Sequence, residues 1–382
     1  MEFRIARGEL AEAVGRAARA LPARTPVPVL GGLLLTAEAG RLTVSGFDFE
    51  TAVRVEADAE VTAEGRVLVL GRRLLDICRV VPEGPVNCAL EGTRFGLEAG
   101  GTRFGLSTLP YEEYPALPET PPAYGGVDAE AFATAVGQVA VAAGRDDTLP
   151  VLTGIQLRFD GEQLTLSASD RYRYAVRRLE WKPEAGAAGG TGAVGEPVEV
   201  LLPARRLLET ARSLARCGTV RIGLDPAQTA GGGVVGFAGG GTRTVLRRLE
   251  GRLPGYGSLF ALPDAAVAEV DCAALTEAVR RVAVVAEASS PVRLDFSAAE
   301  GALLVRAGYG DDVAAQRLPA VLHGAEEVTV AFNPAYLLDA LNSFEGPELR
   351  LELLGGGQRA LLGGTGAAAG HRHLLMSVKQ LV

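Results

Sequence analysis

The residues of this 382-residue chain that could do chemistry are few and scattered. Gly190-Thr191-Gly192-Ala193-Val194-Gly195 has the G-x-G-x-x-G spacing with which a glycine loop cradles a pyrophosphate. That chemistry needs a strand before the loop and a helix opening at its end. Here the motif lies in a Gly/Ala stretch, Ala185 to Gly195, that reads as a mobile loop. It leads into the extended run Val198-Glu199-Val200-Leu201-Leu202, so no nucleotide site is read here. No G-x-x-x-x-G-K-[ST] loop and no G-x-S-x-G elbow occurs.

His323, His371 and His373 are the only histidines. The last two flank Arg372 in a predicted strand and would share one face. Such a pair could ligate a metal, but no Cys or carboxylate cluster is near in sequence. A surface or pocket-edge role is the plainer reading. Cys78, Cys88, Cys217 and Cys272 form no C-x-x-C pair and read as small buried hydrophobes of a reduced, cytoplasmic protein. Trp181 is the only tryptophan, and so few aromatics make a poor stacking platform for single strands. Nothing asks for catalysis, a metal or a cofactor.

What remains is cationic. Arg205, Arg212 and Arg216 fall within about 20° of one line on a helix, with Leu207, Leu208, Ala211 and Leu214 on the other side. Arg72 and Arg79 align one heptad apart around Asp76. Arg16, Arg19, Arg280 and Arg281 add charge to two further helices. A solvated face explains any one helix. Recurrence in a chain of net charge −8 favours a local basic, helix-lined surface suited to phosphates.

These helices belong to a pattern written three times. Leu10 to Val14, Phe132 to Val136 and Leu275 to Val279 each open a third of the chain. Arg73 to Asp76, Arg206 to Glu209 and Tyr336 to Asp339 mark a second helix in each. The period exceeds that of a solenoid repeat, roughly 20–50 residues, and implies three copies of one domain. Pro28-Val29-Leu30, Pro150-Val151-Leu152 and Pro291-Val292-Arg293 each begin an extended strand, followed by a turn and another strand. Each third therefore reads as α+β, two helices packed on antiparallel sheet. Pro-rich connectors set the boundaries at 1–125, 126–263 and 264–382. The start, Met1 to Arg7, has no apolar stretch behind a basic opening, and no run approaches a membrane span.

Several segments resemble the bacterial DNA sliding clamps, the β subunit of DNA polymerase III. These are Leu21 to Gly31, Pro150 to Ile155, Leu164 to Ala175, Phe332 to Leu341 and Leu374 to Lys379, in order along the whole chain. The resemblance implies half of a ring per chain. A head-to-tail homodimer would encircle duplex DNA of any sequence, helices lining the hole. Partners would be the replicative polymerase, clamp loader, and repair polymerases or ligase, docking through short peptide motifs. The family's DNA-touching loop arginine falls on Arg24, and Arg145 is a second candidate beside Arg72, Arg79, Arg205 and Arg212. The peptide pocket falls on Leu152, Ser169, Arg171, Tyr172, Arg173, Tyr174, Pro254, Ser258, Leu259, Leu374, Met376, Ser377 and Val378. The ring interface falls on Phe104, Leu106, Val284 and Val285.

The chain departs from the family at the pocket. Arg171-Tyr172-Arg173-Tyr174 replaces Gly-His-Arg-Leu, Ser377 replaces Pro, Lys379 replaces Arg, and Gly257-Ser258-Leu259 replaces a basic stretch. The chain also runs on as Gln380-Leu381-Val382. These departures raise the expectation of a specialised, inhibitor-tolerant variant. A three-domain protein-binding scaffold that never encircles DNA is the alternative, and an enzyme with an unrecognised site is a further rival.

Overall fold

Spacing of apolar residues sets the helices. In α1, Arg7–Ala17, the buried residues are Leu10, Ala13, Val14 and Ala17, the i, i+3, i+4, i+7 stripe of a helix with one face on a core. The same logic gives α2 (Gly71–Val80), α3 (Ala129–Ala140), α4 (Ala204–Leu214), α5 (Cys272–Val282) and α6 (Pro334–Leu341). Short polar side chains start three of them. Asp128, Asp271 and Asn333 accept from Ala131, Ala274 and Ala335 backbone N–H groups at 2.9, 2.7 and 2.9 Å. Pro334 follows Asn333 at the first helical position, where its missing N–H costs nothing.

The computed structural model describes residues 1–24, 27–184, 197–224, 233–286, 290–309, 312–365 and 370–379. The Ala185–Gly195 stretch, with its glycine motif, and Gln380 to Val382 lie outside the described residues. Every strand pairing in the named sheets is antiparallel. Two units form. One spans Met1–Ala133, Lys182–Val194 and Glu209–Arg248; the other spans Thr134–Trp181, Gly195–Leu208 and Leu249–Val382. Each thus joins one terminal third of the chain to part of the middle third.

In the first unit one 14-stranded sheet crosses from the middle third into the first. The seam is the ladder of Thr242–Arg247 against Thr51–Asp58, with Leu246 opposite Thr51. Helix α1 lies so near the strand Arg41–Phe47 that a Cβ on Gly46 would meet the Ala17 carbonyl at 2.7 Å, so only glycine fits there. In the second unit a 9-stranded sheet crosses from the middle third into the last, and a 4-stranded sheet accompanies it. Its seam is His371–Met376 against Arg173–Glu180, with Leu375 opposite Arg173.

Two expectations are corrected. Pro28–Gly31 and Pro150–Thr153 are 3-10 turns rather than strand, and the strands begin at Gly32 and Gly154. The fixed φ of proline opens a tight turn here, and Leu30 and Leu152 close it through N–H bonds to Val27 and Leu149 at 3.1 and 2.9 Å. Nor do His371 and His373 sit at a surface or pocket edge; both are fully buried at the second seam. His371 Nε2 lies 2.8 Å from Ser343 Oγ and Nδ1 lies 3.2 Å from the Val176 carbonyl. Neither ring nitrogen of His373 has a hydrogen-bond partner among the described residues. Burial pushes the His371 pKa down to about 4 and that of His373 well below the usual imidazole range. Alternation explains the placement. His371, His373 and Leu375 take the inward face of their strand, and Arg372 between them takes the other.

Candidate functional site

A turn in the second unit organises the largest set of candidate residues. The strands Gln163–Ser169 and Arg173–Glu180 meet at residues 170–172. Asp170 Oδ1 accepts from the Tyr172 and Arg173 backbone N–H groups at 3.0 and 3.1 Å, the self-bonded turn that Asp favours. Ser169 donates to the Arg173 carbonyl at 2.8 Å and accepts from the Arg171 N–H at 3.3 Å. Arg171 is held at φ +82°, a conformation that suits glycine and strains a side chain. Its side chain and that of Tyr172 therefore stand outward, Tyr172 at 60% exposure.

Arg173 points the other way and is 4% exposed. Its guanidinium bonds Asp170 Oδ2 and Asp339 Oδ2, each at 2.8 Å, and lies 4.3 Å from the centre of the Tyr336 ring. A buried cation so paired is satisfied; stripped of its carboxylates it would cost several kcal/mol. Tyr172 packs beside Tyr336 with ring centres 6.3 Å apart.

Behind the turn lies an apolar cluster of Tyr174, Val176, Leu201, Leu253, Phe260, Leu262, Leu361 and Leu374, with Leu152, Tyr256 and Leu259 partly buried against it. Tyr174 donates its hydroxyl to the Pro254 carbonyl at 2.9 Å and meets Phe260 edge-on at 5.8 Å. Burial pushes its phenol pKa up. The last strand reaches this cluster too. Met376 N–H donates to the Tyr172 carbonyl at 2.9 Å and Val378 N–H to the Ala331 carbonyl at 2.7 Å. Ser377 accepts from the Gln358 N–H at 2.9 Å, while the Ser258 and Leu259 carbonyls accept from Arg359. Leu149, Tyr172, Met376 and Val378 remain 37%, 60%, 39% and 40% exposed. The second unit therefore gathers the residues named from sequence around this turn, except that Arg173 is buried behind it rather than lining a surface. It adds Tyr256, Phe260, Tyr336 and Asp339, which sequence reasoning missed. The signal was there, since Tyr256, Phe260 and Leu262 put large apolar side chains into what reads as a Pro-rich connector.

The cationic candidates meet different fates. Arg24, Arg145, Arg205 and Arg212 are exposed. Arg72 is exposed but donates to the Pro22 and Ala23 carbonyls, both at 3.1 Å, and so braces the loop that carries Arg24. Residues 25 and 26 of that loop lie outside the described residues. Arg79 pairs with Asp76 at 3.1 Å. Arg16 is engaged by Thr242 and Glu12, and Arg19 by the Glu209 carbonyl, so these two fasten the first unit internally.

Of the four interface candidates, Val284 is 82% exposed on the 3-10 turn Ala283–Val285, and Val285 is half-buried. Phe104 is half-buried on the strand Thr102–Leu109, whereas Leu106 is buried in its own core. That strand pairs with Arg94–Ala99 on one side and meets Gly65–Leu70 only through Thr108 and Leu109. Its other edge is open over residues 102–107 among the described residues. Asp312–Pro319 is likewise an edge strand, with Val313 65% exposed. Among the described residues no group of three or more metal-binding side chains occurs, and no helix is long and apolar enough to cross a membrane.

Comparison with known proteins gives one consistent result. The N-terminal, central and C-terminal domain families of the DNA polymerase III β subunit match residues 1–118, 126–255 and 259–378. The β sliding clamp of Streptomyces coelicolor is 46% identical over 99% of both chains. The β sliding clamp homolog GriR of Streptomyces muensis is 40% identical over 99% of both. The sliding clamp of Pseudomonas aeruginosa, solved bound to griselimycin, superposes over 100% of both chains with a TM-score of 0.89 at 23% identity.

Proposed function

The chain belongs to the family of DNA polymerase III β subunits, the bacterial sliding clamps, and from that premise we propose that it works as a ring. Two copies join head to tail, encircle duplex DNA without reading its sequence, and tether the replicative polymerase, clamp loader and repair proteins. The threefold repeat of one α+β unit, its sheets running on from one third into the next, carries this reading. Exposed arginines suited to phosphates, Arg24, Arg145, Arg205 and Arg212, support loose, sliding contact. Heterologous contacts close when the rotation fits, and the open edge at 102–107 with Phe104 on one end and the edge strand Asp312–Pro319 with Val284 on the other offer two different surfaces to be paired. The work is topological, no chemical step is involved, and the cytoplasm is its place.

The junction around Tyr174 and Leu374 serves as the partner-peptide pocket, with Tyr172, Met376 and Val378 as its exposed margin. Tyr172, Tyr174 and Ser377 stand where the family carries other side chains. Peptide-like inhibitors fitted to the usual pocket therefore bind this one less well, while its own partners still bind. Topological retention on circular DNA tests the ring; a monomeric mass at micromolar concentration, or equal loss from circular and linear DNA, favours a scaffold that never encircles DNA.

A further inference from the structure

The first unit repeats the turn of the peptide pocket and its cross-strand bond. Asp48 Oδ1 accepts from the Glu50 and Thr51 N–H groups at 3.1 and 2.7 Å, as Asp170 does for Tyr172 and Arg173. The next residue is left-handed in both, Phe49 at φ +71° and Arg171 at φ +82°. Arg247 N–H donates to the Glu50 carbonyl at 2.9 Å, just as Met376 N–H does to Tyr172 at 2.9 Å. A proline-led 3-10 turn follows the exposed aliphatic residue in each, Val27 and Leu149.

The apolar content is repeated as well. Val29, Phe47, Tyr114 and Val245 form a buried cluster beneath this second turn. Around it Val27, Phe49 and Tyr111 remain 43%, 53% and 45% exposed. An aromatic ring held outward by a left-handed backbone is a costly way to leave a surface bare. The charge differs from the first pocket. Its connector carries Glu112 and Glu113 directly after Tyr111, both exposed and neither in an ion pair among the described residues, where the other has uncharged Gly257 and Ser258.

We propose that this junction is a second peptide-docking surface, taking a short partner segment with apolar anchors flanked by lysine or arginine. The inference rests on the pocket reading of the second unit, because the argument is one of duplicated geometry. The acidic connector selects the basic flank, and the apolar cluster seats the anchors.

The test is calorimetric titration of the full-length protein with a short amidated peptide carrying two leucines, a phenylalanine and two flanking lysines. Wild type should take two equivalents per chain. The double variant Phe49→Gly, Tyr111→Ala should take one; Gly relieves the left-handed strain and Tyr111 is exposed, so folding is not at risk. Glu112→Gln with Glu113→Gln should weaken that site about fivefold at low salt, the scale of a rim ion pair. Met376→Asp with Val378→Asp should remove only the other equivalent. If those changes leave both equivalents, the second-unit pocket reading fails while this surface stands. A wild-type stoichiometry of one or none that Phe49→Gly, Tyr111→Ala leaves unchanged overturns the proposal. So does concentration-dependent self-association lost in that variant, which would make a second copy the occupant.

Discussion

Arg173 of the middle third and Asp339 of α6 meet at 2.8 Å, and the same guanidinium holds Asp170 at 2.8 Å. One buried side chain thus fastens the pocket turn to the helix that follows the motif Phe332-Asn333-Pro334. Arg173 is therefore a positioning residue behind the proposed pocket rather than part of its floor. Arg173→Ala should lower the stability of the second unit by about 3 kcal/mol, since it leaves the largely buried Asp170 carboxylate without its cation. Asp339→Asn, at a half-exposed position, should cost about 1 kcal/mol. Urea unfolding followed by the fluorescence of Trp181 measures both; equal midpoints for wild type and Arg173→Ala would contradict the assignment.

Acid should loosen the second seam. Burial holds His371 down to about 4 in the folded chain and His373 well below the usual imidazole range, against about 6.5 when unfolded. The unfolded chain therefore binds more protons below pH 6.5, and stability falls as pH drops from there toward 4. For His371 alone the loss approaches roughly 3 kcal/mol at the bottom of that window. His373→Leu removes unpartnered buried nitrogens and should raise stability at pH 7 and flatten the acid limb. Melting curves from pH 7.5 to 4.5 check the sign; a pH-independent wild type would refute it.

Direct DNA affinity should be weak, sequence-independent and steep in salt. Replacing Arg24, Arg205 and Arg212 with alanine should reduce the slope of log K against log salt by about 2–3, near 0.9 per lost phosphate contact. Fluorescence anisotropy at several salt concentrations measures the slope. An unchanged slope, or one strongly preferred duplex, would contradict phosphate contact by these residues.

The ring interface is best probed at Val284 rather than Leu106, because Leu106 is core and a charge there would unfold the first unit. Val284→Asp leaves every core intact and should convert dimer to monomer in light scattering at micromolar concentration. A dimer of unaltered affinity would move the interface elsewhere.

Pocket selectivity should revert with its substitutions. Gly, His and Leu at 171, 172 and 174 relieve the strain at Arg171 and restore the usual side chains, while Pro at 377 gives up the Ser377 N–H bond to the Gln358 carbonyl at 3.0 Å. A consensus clamp peptide and a pocket inhibitor should then bind about tenfold tighter, near 1.4 kcal/mol. Equal affinities would mean these positions are neutral.

The six helices were legible because their apolar period is strong: Leu10, Ala13, Val14 and Ala17 leave little choice. So were the pocket strands, through Leu164 to Tyr174 and Leu374 to Val378. What stayed hidden depends on partners distant in sequence. Nothing local tells that Arg173 is satisfied 166 residues away by Asp339. Alternation puts His371 and His373 on one face but not on which. Leu106 and Phe104 lie on one strand edge, yet only packing separates the buried from the half-exposed. Connector residues Tyr256 and Phe260 read as spacer because Pro and Gly dominate their neighbourhood.

The proposed ring closes around DNA. The most direct measurement loads the purified protein onto nicked circular DNA with a clamp loader, removes free protein by gel filtration at high salt, and then linearises the DNA. The protein should stay with the circle and leave once an end is available. Loss from circle and linear form alike, or salt-resistant retention on both, would contradict a ring.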